Sequence, residues 1–183
     1  MRPIAPLLCL VASVFLLSPE ASALPQDHPR ALLEMLRAVD TIPSAEGIRE
    51  TTQNPEGALR KVADDEVLGQ YVRRRATSLL SLFPGTRSRV HLKELTQSRS
   101  ERVSWVATYT YIRVQGKEDA KRARRFAKQV LTTRADGQRE AAVRGLRHVP
   151  GKATAQLVER HAKNEVSKRV LKAIKRFRES RAR

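Results

Sequence analysis

Four stretches of this chain can be laid over one another, and that weak repetition constrains the fold more than any other feature. They carry Val72, Ala76, Leu79 and Leu80; Val103, Ala107, Thr110 and Tyr111; Arg139, Val143 and Leu146; and Val166, Val170, Ala173 and Ile174. Their starts lie 31, 36 and 27 residues apart. Within each, apolar residues recur at the three-and-four spacing of an amphipathic helix. A helical unit repeated at this period implies stacked hairpins, because a single hairpin cannot bury its own apolar face. The expectation is an all-α fold: a short α-α superhelix, or solenoid, of about four helical hairpins. Such stacks present extended surfaces, which favours binding over catalysis.

The N-terminus reads as a separate element. Arg2 precedes an apolar run over residues 7–17, and Ala21-Ser22-Ala23 follows with the small-residue pattern of a cleavage site. Residues 1–23 are therefore expected to be a signal peptide, with Leu24 opening an exported chain, periplasmic or secreted. The run is shorter than the roughly 20 residues a membrane-spanning helix needs. Cys9 lacks the small residue expected just before a lipidated cysteine, and it is the only cysteine. The exported domain, 24–183, must then stand on its core without disulfides, thiol catalysis or cysteine-bound metal.

Charge divides this domain. Residues 24–65 hold 5 Lys and Arg against 8 Asp and Glu, a net of −3, whereas 66–183 hold 30 against 10, a net of +20. The basic excess belongs to the repeats and points to anionic partners.

Periodicity and punctuation place the helices. Asp27 and Pro29 open the first, with Leu32, Leu36 and Val39 on one face. Ser44 and Asn54 cap helices over 45–50 and 55–63. Helices then follow over 70–82, 88–96, 102–114, 118–132, 138–147, 153–163 and 166–177, with a break at Gln115-Gly116. Pro84-Gly85 and Pro150-Gly151 mark turns. The β-prone run Thr108 to Ile112 is read as helical because the repeat register requires it. Residues 179–183 are expected to fray.

The pattern resembles HEAT repeats. The residues that carry the resemblance are Val72-Arg73 followed by Ala76, Leu79 and Leu80, and the similar run of residues 138–146. Phe83-Pro84-Gly85 and Val149-Pro150-Gly151 follow these helices where the family places its turn within a pair. Residues 66–178 form the clear repeats and 24–65 a weak N-terminal cap. Ser104 departs from the pattern, which wants a basic residue after Val103. The resemblance implies a scaffold or adaptor for another protein, with second helices lining a concave groove.

On the second helix of the middle pair, Lys121, Arg124, Arg125 and Lys128 share a face at three-and-four spacing. Arg89 and Lys93 precede them at similar positions, and Lys152, Arg160 and Lys163 follow. Together these residues form the candidate site, a basic band that takes a protein partner or, alternatively, a polyanion such as nucleic acid or acidic polysaccharide. No cofactor or metal ligand set is recognisable. His28, His91, His148 and His161 show no metal-ligand spacing with carboxylates, although His148 and His161 flank one hairpin. Asp64-Asp65 and Glu118-Asp119 read as helix-start charges. Trp105, Tyr109 and Tyr111 fall on a first helix, where the first two are placed to stack and all three read as core. HEAT-like DNA glycosylases set an acidic residue with aromatics in a basic groove. Here the aromatics lie away from the expected groove, so an enzyme is only a third alternative.

Overall fold

The computed structural model describes residues 28–182, and these are helical throughout their ordered elements. In chain order the helices are α1 (Arg30–Arg37), α2 (Ala45–Thr51), α3 (Pro55–Asp64), α4 (Gln70–Leu79), α5 (Thr86–Leu95), α6 (Glu101–Glu118), α7 (Ala120–Thr133), α8 (Asp136–Leu146), α9 (Lys152–Ala162) and α10 (Lys168–Ala182). A 3₁₀ turn, Leu80–Leu82, extends α4. No strand occurs among the described residues. Residues 1–23, expected to form a signal peptide, and Asp27 lie outside them.

Packing makes two layers. Helices α4, α6, α8 and α10 lie side by side as one sheet of helices, each against the next. Helices α5, α7 and α9 form a second layer, each paired with a first-layer helix. Of the pairs α4–α5, α6–α7 and α8–α9, only α6–α7 packs closely upon itself; α5 packs on α6, α7 also on α8, and α9 lightly on α7 and α10, a two-layered arrangement compatible with an α-solenoid. The core runs without interruption from Leu32 and Leu36 through Leu59, Leu80, Leu92, Ile112 and Leu146 to Ile174 and Phe177.

Local chemistry explains the ends of the helices. Ser44 and Asn54 accept from the amides of Gly47 and Gly57, as N-caps do. Gly85 and Gly151 sit in the two expected turns, and Gly151 takes φ 98°, which only glycine adopts freely. The middle hairpin differs from its expected form. Gln115-Gly116 is not a break, because α6 runs on to Glu118. Asp119 alone links the helices, with its Oδ1 accepting from the Arg122 amide 2.9 Å away. Glu118 therefore closes one helix rather than opening the next. Thr108 to Ile112 is helical, as the repeat register required.

Burial corrects the repeat register. Arg73 and Ser104 are buried equivalents, since Thr77 and Thr108 donate to their carbonyl oxygens, each at 2.8 Å. The corresponding buried residues in α8 and α10 are Gln138 and Val170, which makes the spacings 31, 34 and 32. Arg139 is instead half-buried and engaged elsewhere. Val166 precedes α10 and is 87% exposed, Val39 follows α1 and is 75% exposed, and α10 stays helical to Ala182. The apolar stripe of α10 is Val170, Ala173, Ile174 and Phe177.

A carboxylate organises each end of the stack. Glu165, between α9 and α10, accepts from Arg139 Nε and Nη2 at 2.8 and 2.9 Å, from His161 Nε2 at 2.7 Å, and from the amides of Val166 and Ser167. These donors, Arg139 foremost, hold its pKa down at about 2 despite burial. Asp65, between α3 and α4, repeats the device by accepting from His28 Nε2 at 2.7 Å and from the Val67 amide at 2.9 Å. Its pKa is lowered chiefly by His28. His28 and His161 thus each hydrogen-bond a buried carboxylate, and Asp65 is a buried acceptor between helices rather than a helix-start charge.

Candidate functional site: an arginine–aromatic cleft

The open surface of the first layer is set by α6. At 100° per residue, Arg102, Trp105, Val106 and Tyr109 share one side of this helix, while Tyr111 and Gln115 lie on the other. The first set floors a cleft of about 850 Å³ that α4, α8 and α10 help to wall. Tyr71, Arg74 and Arg75 come from α4, Arg144 from α8 and Arg169 from α10. Five arginines and three aromatics line the cleft, and among the described residues no lysine or acid joins them.

Each aromatic ring carries a guanidinium. Arg169 lies 4.4 Å from the Trp105 ring centre, Arg144 5.6 Å and Arg113 5.7 Å from Tyr109, and Arg75 5.8 Å from Tyr71. Such contacts attract the planar guanidinium and restrict its orientation. Trp105 reaches this place because residue 137 is glycine: a Cβ there would overlap the indole. Tyr109 is held by His148, whose Nε2 is 3.1 Å from the phenol oxygen. Burial, reinforced by Arg113, Arg147 and Lys117, lowers the His148 pKa and favours neutral imidazole. Trp105 and Tyr109 therefore do not stack on one another, and of the three aromatics only Tyr111 is core, at 3% exposed. His148 and His161 take separate partners.

The arginines are not equally engaged. Glu140 pairs with Arg144 and Arg169. Arg75 donates to the carbonyls of Ala38 and Thr41, which pins the α1–α2 loop along the cleft's edge. Val39 and Ile42 of that loop stand 75% and 94% exposed. Arg74 and Arg102 have no acidic partner among the described residues, and the Arg74 Nε is buried without a hydrogen bond.

The expected basic band meets a different surface. Between α5 and α7 lies a groove of about 510 Å³, and Arg89 and Lys93 line it as the sequence suggested. Arg89 is already ion-paired with Glu118. From α7, however, the lining residues are Arg122, Phe126, Gln129 and Val130, with Arg134 just beyond. Lys121, Arg124, Arg125 and Lys128 sit about a third of a turn away from that stripe. Lys121, Arg125 and Lys128 are exposed, and Arg124 reaches towards the Pro150 carbonyl at 3.5 Å. Lys152, Arg160 and Lys163 are exposed on and after α9 and are not part of the groove's lining.

The cleft arginines were missed because they lie on first helices, which the family resemblance assigns to the other side. Their signal was present, since Tyr71 with Arg74-Arg75 and Arg102 with Trp105 each set basic and aromatic residues three or four apart. No group of three or more metal-capable side chains occurs among the described residues. No helix there is long and apolar enough to cross a membrane. The chain matches no known protein family, and no curated protein resembles it significantly.

Proposed function

We propose that this chain is an exported, non-catalytic HEAT-like scaffold that captures an acidic segment of another protein along the arginine–aromatic cleft. The observation that carries the reading is the acid-free lining, in which Arg74 and Arg102 lack ionic partners. Guanidinium forks fixed on aromatic rings suit bidentate recognition of carboxylates. Exposed Val39 and Ile42 at one end suit a partner that adds an apolar anchor to its acidic residues. A purely electrostatic polyanion binder is the second reading, favoured by the +20 of residues 66–183.

Trp105 is the only tryptophan, so its emission reports on the cleft directly. Titrating the protein with an acidic peptide carrying a leucine anchor should shift that emission. The double variant R74Q/R102Q should weaken binding by at least about tenfold, the effect of losing charge-assisted hydrogen bonds. Heparin and oligothymidylate serve as comparison ligands. Binding that prefers them and vanishes steeply with salt would favour the polyanion reading. An unchanged Trp105 signal with every ligand would remove both.

A further inference from the structure

The groove between α5 and α7 contains a feature that the arginine–aromatic cleft does not use. Gln115 is 3% exposed and lines the groove, yet its amide makes no hydrogen bond within the described chain. The amide is not among the buried side-chain groups left without a partner, so its free valences open onto the groove, where water or a bound group satisfies them. One turn earlier on α6, Tyr111 presents its hydroxyl to the same wall, with the ring fixed edge-on against Phe126 at 4.7 Å. Arg122 of α7 lies against that hydroxyl, and Lys93 of α5 faces across the groove.

We propose that this groove is a binding site for a single oxyanion group, a carboxylate or a phosphate monoester on a small molecule, held by the Gln115 amide, the Tyr111 hydroxyl and the Arg122 guanidinium. All three can donate together. Burial raises the Tyr111 pKa against the pull of Arg122 and Arg89, so the phenol keeps its proton at neutral pH. An anion is the ligand that can accept from several donors lining one groove. Of the nearby acids, Glu118 is engaged by Arg89, and Glu94 is exposed and lies 3.6 Å from His91 Nδ1. Among the described residues, Glu94 is the one acid lining the groove. At about 510 Å³ the groove admits a small organic anion rather than a folded partner.

The test is calorimetric titration of the full chain with inorganic phosphate and, separately, with succinate. Saturable binding of either supports the site, and the tighter of the two identifies the source of the oxyanion. Y111F and R122Q should each weaken that binding by about tenfold or more. Q115E, which keeps the side chain's size and adds a repelling charge, should abolish it. Trp105 emission should not move, and R74Q/R102Q should bind these small anions as the parent does, which separates this site from the cleft. Saturable binding by neither probe at millimolar concentration would overturn the proposal, leaving water as the partner of Gln115. So would binding that Y111F and Q115E leave unchanged, because it would then rest on surface charge alone.

Discussion

The two sides of α6 differ in kind rather than in degree. On one side, arginine and aromatic residues alternate across four helices with no acid among them. On the other, glutamines, lysine, arginine and glutamate mix between two helices around a small polar pocket. Net charge does not distinguish these surfaces, since both are basic. What separates them is that in the cleft guanidinium groups lie over aromatic rings from several helices, beside two arginines without an acidic partner. A long surface that sets ring-held arginines beside Arg74 and Arg102, which lack an acidic partner among the described residues, suits an extended partner. A short groove with one unpaired amide suits one anionic group.

The most disruptive way to break this comparison is to remove α10. It supplies Arg169 to the cleft and nothing to the groove, and it buries Val170, Ile174 and Phe177 against the stack. At roughly 1.5–3 kcal/mol for each large apolar side chain, the loss rivals the whole stability of a domain. A chain ending at residue 167 should lose cooperative melting and shift Trp105 emission to the red. A melting curve like the parent's would show that α10 is not part of the stack.

Acid should act next, at the same end. The Glu165 pKa falls from 4.5 to about 2 on folding. A lowered carboxylate pKa stabilises the fold fully above its unfolded value, and that stability is lost as pH falls towards the folded one. The difference corresponds to about 3 kcal/mol. Stability measured by denaturant should therefore decline from about pH 4.5 towards pH 2, and E165Q should flatten part of that slope while costing a similar amount at neutral pH. An identical pH profile for E165Q would place the acid sensitivity elsewhere.

A finer cut separates the two surfaces without dismantling the stack. G137A places a methyl group where the Trp105 indole lies. Overpacking of this kind costs about 1–3 kcal/mol, offset in part by alanine's better helix propensity. Trp105 should be displaced from Arg169, weakening acidic-peptide binding while phosphate or succinate binding in the groove is retained. Equal damage to both would mean that the surfaces are coupled through α6.

Much of the architecture was legible in the sequence because periodicity and punctuation act locally. Ser44, Asn54, Pro84-Gly85 and Pro150-Gly151 each perform the expected task at the expected place. The run from Thr108 to Ile112 shows register overriding β-propensity, as its burial in the first layer required. Gly116 misled for a physical reason: it is not a helix breaker but a point of close approach, where a Cβ would meet Val149. The third repeat was set two residues out because Val143 and Leu146 repeat the spacing of Ala76 and Leu79, which lays Arg139 over Val72. The chain uses that arginine to hold Glu165, a contact between helices that no single-helix pattern contains. The candidate site was harder still. Helical spacing groups Lys121, Arg124, Arg125 and Lys128 on one face, but which side of α7 stays open depends on the gap between α5 and α7, a tertiary quantity.

The smallest expected effect therefore tests the sequence's own choice. Lys121, Arg125 and Lys128 are exposed and make no ion pair among the described residues. Exposed charges of this kind contribute little to stability. The triple variant K121Q/R125Q/K128Q should shift the melting temperature by less than about 2 °C. It should also leave succinate or phosphate binding in the groove intact, because Arg122 and Phe126, not these three, face it. Acidic-peptide binding reported by Trp105 should change only through the lower net charge, a modest effect that disappears as salt is raised. If the triple variant instead lost peptide binding as fully as R74Q/R102Q does, the partner would engage the second layer, and the basic band along α7 would displace the arginine–aromatic cleft as the functional surface.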